Sequence, residues 1–377
     1  MIPLAMPNLT GNEKEYLNNC IDTTYVSSVG EYVTRLEEMC KEACGCAYAV
    51  ATSAGTTGLH AALTAAGVGR DDLVLLPTFT FIASANAVHH CGADPWLTDI
   101  TEDWCMDVMQ VENILREECD TEGGKVIRKK DQRRVAAIMP VYTLGNIPDM
   151  AHLRALADKY HLPLLADAAC AIGATWHGKQ LGELADLSVV SFNGNKTITC
   201  GGGGMVFGND EALVGKVRHL TTTARVNAEY EFDMPGFNYR MTNLQAAVGC
   251  AQMERLEEFV DKKRWVRKYY KEKLSDLSGI SFFPETEGAS CWFSGIVLEK
   301  ADGLNEVRRI CAGLKEKGIE ARSFWKPVHL QLPYAEVPRA ELQCAEKLWN
   351  CIVTLPCATN ITEEELETVI QAVRELL

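Results

Sequence analysis

Lys196 follows the apolar run Leu187–Phe192 and stands just before four consecutive glycines, Gly201–Gly204. A lysine at the end of a strand is most often a solvated turn residue. Held in a dry pocket, however, it has a depressed pKa, and its free amine attacks an aldehyde. Glycines beside it let the backbone approach a ligand closely. Asp167 closes a second apolar run, Leu162–Ala166, and precedes Ala168 and Ala169. It can cap a helix, or it can hold a proton on the ring nitrogen of a cofactor that acts as an electron sink. A third feature is Thr52-Ser53-Ala54-Gly55-Thr56-Thr57-Gly58. As a turn opening a helix it presents free N–H groups and the positive end of the dipole, which suits a phosphate. An ordinary Ser/Thr cap is the commoner use of such a turn, and the loop matches neither the P-loop nor the Gly-x-Gly-x-x-Gly fingerprint. Ser191, five residues before Lys196, offers a further hydroxyl to a phosphate. Each feature is common alone, but their order (phosphate turn, acid, lysine) is far more specific and suits pyridoxal 5'-phosphate (PLP).

These residues need a frame that brings them to one place. Strands are expected at Ala47–Ala51, Leu73–Leu76, Val135–Met139, Leu162–Ala166, Leu187–Phe192 and Met205–Phe207, with helical patterns such as Thr57–Ala66 and Met150–Tyr160 between them. Strands alternating with helices predict an α/β fold with a mostly parallel central sheet and helices on both faces. Open α/β sheets bind ligands at the C-terminal ends of their strands, where all three features fall. Residues 116–134, charged and carrying Gly123-Gly124, read as a surface insertion. One long helix is expected from Thr242 to about Leu274. Beyond it, short strands at Ile280–Phe283, Phe293–Leu298 and Ala321–Ser323 sit between two amphipathic helices, Leu304–Lys317 and Glu363–Leu377. The expected division is a large domain over residues 1–255 and a smaller α+β domain over residues 256–377.

Composition narrows the function classes. The 377 residues carry 37 basic and 51 acidic side chains, a net charge of -14, which disfavours a nucleic-acid backbone as partner. A phosphorylated small ligand needs only a local cluster of donors. No apolar stretch approaches the ~20 residues that span a bilayer, and no basic start followed by an apolar run marks a signal peptide. The 15 cysteines are scattered through apolar segments without zinc-site spacing, so buried thiols in a reducing cytoplasm are expected, and no metal.

The chain resembles the sugar aminotransferases of the DegT/DnrJ/EryC1/StrS family, a branch of fold-type I PLP enzymes, over essentially its whole length. The likeness runs through Ile2-Pro3-Leu4, Val26-Ser27-Ser28-Val29-Gly30, the phosphate turn, Pro77-Thr78-Phe79-Thr80-Phe81, Asp167-Ala168-Ala169, the run ending at Lys196, and Phe237-Asn238-Tyr239-Arg240-Met241-Thr242. The segment from Ala321 to Gln331 resembles members that make UDP-linked 4-amino-6-deoxy sugars of the bacillosamine type. The run before Lys196, His219–Arg225 and the insertion are most similar to the aminotransferase branch of legionaminic acid synthesis. The resemblance implies that Lys196 holds PLP covalently and that Asp167 pairs with the ring nitrogen. It also implies that Gly55, Thr56 and Ser191 bind the phosphate, that Phe81 stacks on the ring, and that Asn238 reaches in from the neighbouring subunit of a homodimer with shared sites. Phe81 could instead be a core aromatic. Ser28, Lys326 and His329 become candidates for the nucleotide-sugar, although Lys326 and His329 could equally be surface residues. One position departs from the pattern: three residues after the Asp, similar sequences carry Gln, Glu or His near the ring oxygen, and here it is Cys170, a weak hydrogen-bond partner.

The implied activity moves an amino group from an amino acid, L-glutamate, to C4 of a UDP- or GDP-linked 2-acetamido-4-keto-6-deoxyhexose, with Lys196 as general base and then acid. Two alternatives compete: amination at C3, and a non-catalytic nucleotide-sugar binding protein on the same fold. Family dehydratases resemble this pattern with His in place of the lysine, so Lys196 points to transfer.

Overall fold

The computed structural model describes residues 1–299 and 303–377. Its first strands are β1 (Tyr48–Thr52), β2 (Leu73–Pro77), β3 (Asp94–Thr98), β4 (Cys119–Glu122), β5 (Lys125–Arg128), β6 (Arg134–Ile138) and β7 (Leu165–Asp167). They are followed by β8 (Thr175–Trp176), β9 (Lys179–Gln180), β10 (Leu187–Ser191), β11 (Gly204–Gly208), β12 (Ile280–Phe282), β13 (Ser294–Leu298) and β14 (Ile352–Leu355). β2, β10 and β11 are buried at every residue, as strands covered on both faces must be.

The central sheet has two ladders, β1-β11-β10-β7 and β3-β2-β6 with its β5-β4 extension. They join where β6 meets β7, through parallel bridges Ile138 to Leu164 and Val141 to Asp167. β2 runs parallel to β3 and β6, and β10 runs parallel to β7. Apart from the extension strand β5, antiparallel to β6, the reversed strand is β11, antiparallel to both β1 and β10. The start of β11 therefore lies at the same edge of the sheet as the ends of β1, β10 and β7. Helices Gly55–Ala65 and Glu211–Thr221 pack against this sheet, with Leu59, Leu63, Val214 and Val217 in the core shared by Val50, Val189 and Val206.

Several local outcomes differ from expectation. β3 was not foreseen: Asp94-Pro95-Trp96-Leu97-Thr98 carries a proline, which a central strand excludes and an edge tolerates. β3 is indeed the end strand of its ladder, and Leu97 turns its free side to Pro338 and Ala340. Residues 116–134 form the β4–β5 hairpin, laid antiparallel along the first residues of β6. The single helix expected from Thr242 to Leu274 is two, Asn243–Met253 and Leu256–Leu274. The break needs no Gly or Pro. Arg255 leaves helical geometry (φ -117°, ψ 16°), while its guanidinium bonds Glu258 and Thr10. Ala321–Ser323 contributes only an isolated bridge, Arg322 to Thr354, and no strand.

The C-terminal part is an antiparallel sheet, β12-β13-β14, backed by helices Leu304–Glu316 and Glu363–Leu376. Its core, with Phe293, Ile296, Val307 and Val369, also takes in Phe79, Leu144 and Cys170 from the first half. That shared packing sets the C-terminal segment against the edge where the site residues emerge. No described helix is long and apolar enough to cross a membrane, and all 15 cysteines are free thiols.

Candidate active site

Three strand ends and one strand start deliver the polar residues. β1 ends at Thr52 and the chain turns into helix Gly55–Ala65. β7 ends at Asp167 and β10 at Ser191, while β11 begins at Gly204. Two glycines allow the close approach. A Cβ on Gly55 would lie 2.8 Å from Ser191 Cβ, and one on Gly204 would lie 2.7 Å from Gly55 N. Together these ends floor a cavity of about 540 Å³ lined by Gly55, Thr56, Phe81, Asp167, Cys170, Ser191 and Lys196.

Asp167 is buried at 5% exposure. Its Oδ2 accepts from Ser84 Oγ at 2.6 Å and its Oδ1 from Ala169 N–H at 3.1 Å. Burial holds the carboxyl above the usual carboxylate range, opposed by those two bonds and by the Lys196 charge. An ionised carboxylate placed there gains most from a cationic partner in the cavity. Lys196 Nζ lies 3.2 Å from Cys170 Sγ and 3.8 Å from the ring centre of Trp292. Burial pushes the Cys170 thiol up, with Lys196 pulling it down. A protonated thiol and an aromatic face thus hold the amine without consuming it in an ion pair. The loop carrying Lys196 is fixed from both sides: Lys196 N–H bonds Asn193 O at 3.0 Å, and the Trp292 indole N–H donates to Asn195 O at 2.7 Å.

Of the other residues singled out from the sequence, Phe81 lines the cavity and Ser28, Asn238, Lys326 and His329 do not. Phe81 is 56% exposed at the cavity, preceding helix Ile82–His90, with its ring 6.4 Å from that of Trp325. Asn238 is exposed and outside the cavity lining, on a segment tied to the phosphate turn by Ser53 N–H to Tyr239 O. Ser28 is half-buried and Lys326 exposed, and neither lines the cavity. His329 is buried, with Nδ1 2.7 Å from Thr78 Oγ1 and Nε2 3.1 Å from Glu346 Oε1. Both ring nitrogens are thus engaged within the chain, where His329 braces the segment leading to Phe81. Burial lowers its pKa.

Sequence reasoning passed over Ser84, Trp292 and Trp325. Ser84 sits one turn into a helix as an unremarkable hydroxyl, and Trp292 is ninety-six positions from the lysine it covers. The only available signal was that Trp325 lay in a segment already matched by resemblance. No group of three or more His, Cys, Asp or Glu among the described residues is placed to hold a metal.

Residues 7–374 match the model of the DegT/DnrJ/EryC1/StrS aminotransferase family. The chain belongs to this family. It is 37% identical to GDP-perosamine synthase of Caulobacter vibrioides, covering 100% of this chain and 98% of that one. It is 34% identical to EpsN of Bacillus subtilis, a putative pyridoxal phosphate-dependent aminotransferase, over 100% and 95% of the two chains. Among solved structures, S. venezuelae DesV in complex with a ketimine intermediate superposes with a TM-score of 0.85 at 27% identity, covering 97% of this chain and 94% of DesV. The protein is accordingly a PLP-dependent nucleotide-sugar aminotransferase with the fold-type I architecture. Its residues fit the cofactor: an amine and a buried carboxylate that make no ion pair among the described residues, and a turn whose glycines leave room for a phosphate.

Proposed function

We propose that this enzyme moves the amino group of L-glutamate to C4 of a nucleotide-linked 4-keto-6-deoxyhexose. The observation that carries the reading is the placement of the Lys196 amine, between the Cys170 thiol and the Trp292 face, in one cavity with the buried Asp167 carboxylate. When bound, PLP supplies the electron sink that makes proton removal at the donor carbon feasible. Asp167 holds a proton on the ring nitrogen, oriented by Ser84 and Ala169. Gly55, Thr56 and Ser191 present backbone N–H groups and a hydroxyl to the phosphate at the start of a helix. Lys196 Nζ is the base that would take the proton from the donor carbon and the acid that would give it back, and in the acceptor half the two roles would run in the opposite order. Trp292, 2% exposed, keeps water from one side of that amine.

The relative named for GDP-perosamine, a 4-amino sugar, supports C4 as the position aminated and GDP as the carrier. The segment Ala321–Gln331 supports a 2-acetamido sugar on UDP by its resemblance to the bacillosamine type. A homodimer with shared sites is part of the same proposal. It is supported by exposed apolar side chains at Tyr25, Val29, Phe81, Tyr230 and Phe232, and by the exposure of Asn238 next to the phosphate turn. The small domain is taken to begin near residue 256, and the protein is taken to work in the cytoplasm.

The test is incubation with glutamate and a panel of GDP- and UDP-linked 4-keto-6-deoxy sugars, with and without the 2-acetamido group, followed by mass and NMR analysis of the products. An amine at C4 from one or more panel members is expected. Amination of none of them, or amination of 3-keto counterparts run alongside and not of these, overturns the reading. Lys196→Ala protein should still bind PLP and lose turnover; full activity in that variant contradicts the role given to Lys196.

A further inference from the structure

The cavity is lined by three charged residues, Asp167, Lys196 and Arg322. Asp167 serves the ring nitrogen and Lys196 the chemistry, which leaves the guanidinium of Arg322 without a partner in that scheme. It also has none within the chain: among the described residues its side chain makes no hydrogen bond and no ion pair, only an approach of 5.5 Å to the ring centre of Phe293. Its backbone, by contrast, is fixed. Arg322 O accepts from Thr354 N–H at 2.9 Å and from Thr354 Oγ1 at 2.8 Å, on the rim of the C-terminal sheet. The ring below it leads straight to the reaction centre. Phe293 stacks on Trp292 with ring centres 4.0 Å apart, and Trp292 is the face against which Lys196 lies.

A solvent-facing guanidinium carried on a fixed backbone, with no internal partner among the described residues, is placed to take a planar anion in two parallel hydrogen bonds. The proposed cofactor phosphate site is a different part of the cavity, lined by Gly55, Thr56 and Ser191 from the large sheet. The protein as a whole carries a net charge of -14 and repels anionic substrates, so a local cation in the cavity matters more. We infer that Arg322 is the residue that binds a carboxylate of the amino-acid donor and sets it against Lys196. This rests on the aminotransferase reading and adds to it the group that selects the donor. The same guanidinium must release the product keto acid before the nucleotide-sugar enters. Its exposure to solvent, and the lack of any internal bond that would lock it, suit it to that exchange.

The test separates the two half-reactions in the PLP-loaded enzyme. Bleaching of the cofactor absorbance by glutamate reports the donor half, and its return on addition of keto-sugar to the amine form reports the acceptor half. Glutarate, an unreactive dicarboxylate, is titrated into the loaded enzyme by calorimetry as a readout independent of turnover. For Arg322→Gln the glutamate concentration for half-maximal bleaching should rise about 10- to 100-fold, the value of a lost charge-assisted pair. Glutarate affinity should fall by a similar factor, Arg322→Lys should recover part of both, and the acceptor half should change less than threefold. Cofactor absorbance equal to the unmodified enzyme shows that the variant folds. Unchanged donor dependence, or an equal loss in both halves, refutes the assignment. Failure of the unmodified enzyme to bleach with any amino acid would instead sink the underlying aminotransferase reading.

Discussion

Replacing Asp167 by Asn removes one charge from the cavity and keeps the shape of the side chain. The amide can be satisfied where it stands. Its oxygen can accept from Ala169 N–H, and its NH₂ can donate to Ser84 Oγ, which then turns its own proton to Phe81 O, 3.2 Å away. On the role proposed for Asp167, the cofactor-loaded enzyme then loses the anion that holds a proton on the ring nitrogen. Removing one preorganised electrostatic partner in a dry site costs about 10²- to 10³-fold in kcat, and that loss is expected here. The cofactor-free protein should respond in the opposite sense. Burial raises the Asp167 carboxyl in the folded chain, so the folded state holds its proton to higher pH than the unfolded chain does. Stability from this group is then fully present below the unfolded value, about 3.9, and is lost as pH rises through the folded value. Asp167→Asn should therefore make the cofactor-free protein more stable at pH 8, by about 1–3 kcal/mol, the cost of an imperfectly satisfied buried group. The gain should vanish near pH 4. Thermal melts of the cofactor-free pair across that range, set beside single-turnover bleaching of the loaded pair, measure both. A variant with unchanged turnover, or one whose cofactor-free form is less stable at pH 8, refutes the account of Asp167.

Two further perturbations follow from the same geometry. Gly55→Ala places a Cβ 2.8 Å from Ser191 Cβ, and the strain of about 1–3 kcal/mol should appear as PLP affinity lowered about 10-fold or more, read by titrating cofactor into the cofactor-free variant. Trp292→Ala removes both the indole bond to Asn195 O and the face against Lys196, so turnover should fall about 10-fold with PLP still bound; retained full turnover would show that the ring is packing alone.

Much of the frame could be read from residue order. The apolar runs ending at Thr52, Asp167 and Ser191 are legible because a strand covered on both faces admits few polar residues until it emerges at its end. The polar residue that follows each run is therefore marked by position alone. β3 escaped because Pro95 reads as a breaker, and only its place at the end of the ladder makes it tolerable. The break at Arg255 escaped because the apolar period continues through it, and the side chain that secures the bend bonds Thr10, far away in the chain.

Sequence alone determined that the lysine, the carboxylate and the turn Thr52–Gly58 exist, and that each stands at or just beyond the end of a strand. Strand ends are local properties, fixed by where an apolar run stops. Which ends are neighbours was decided by the ladder order β1-β11-β10-β7, a matter of long-range pairing with no local trace. The tertiary structure also chose the second ring of partners. Ser84 reaches Asp167 within the first half of the chain, whereas Trp292 and Arg322 reach the cavity because the C-terminal core packs onto Phe79, Leu144 and Cys170.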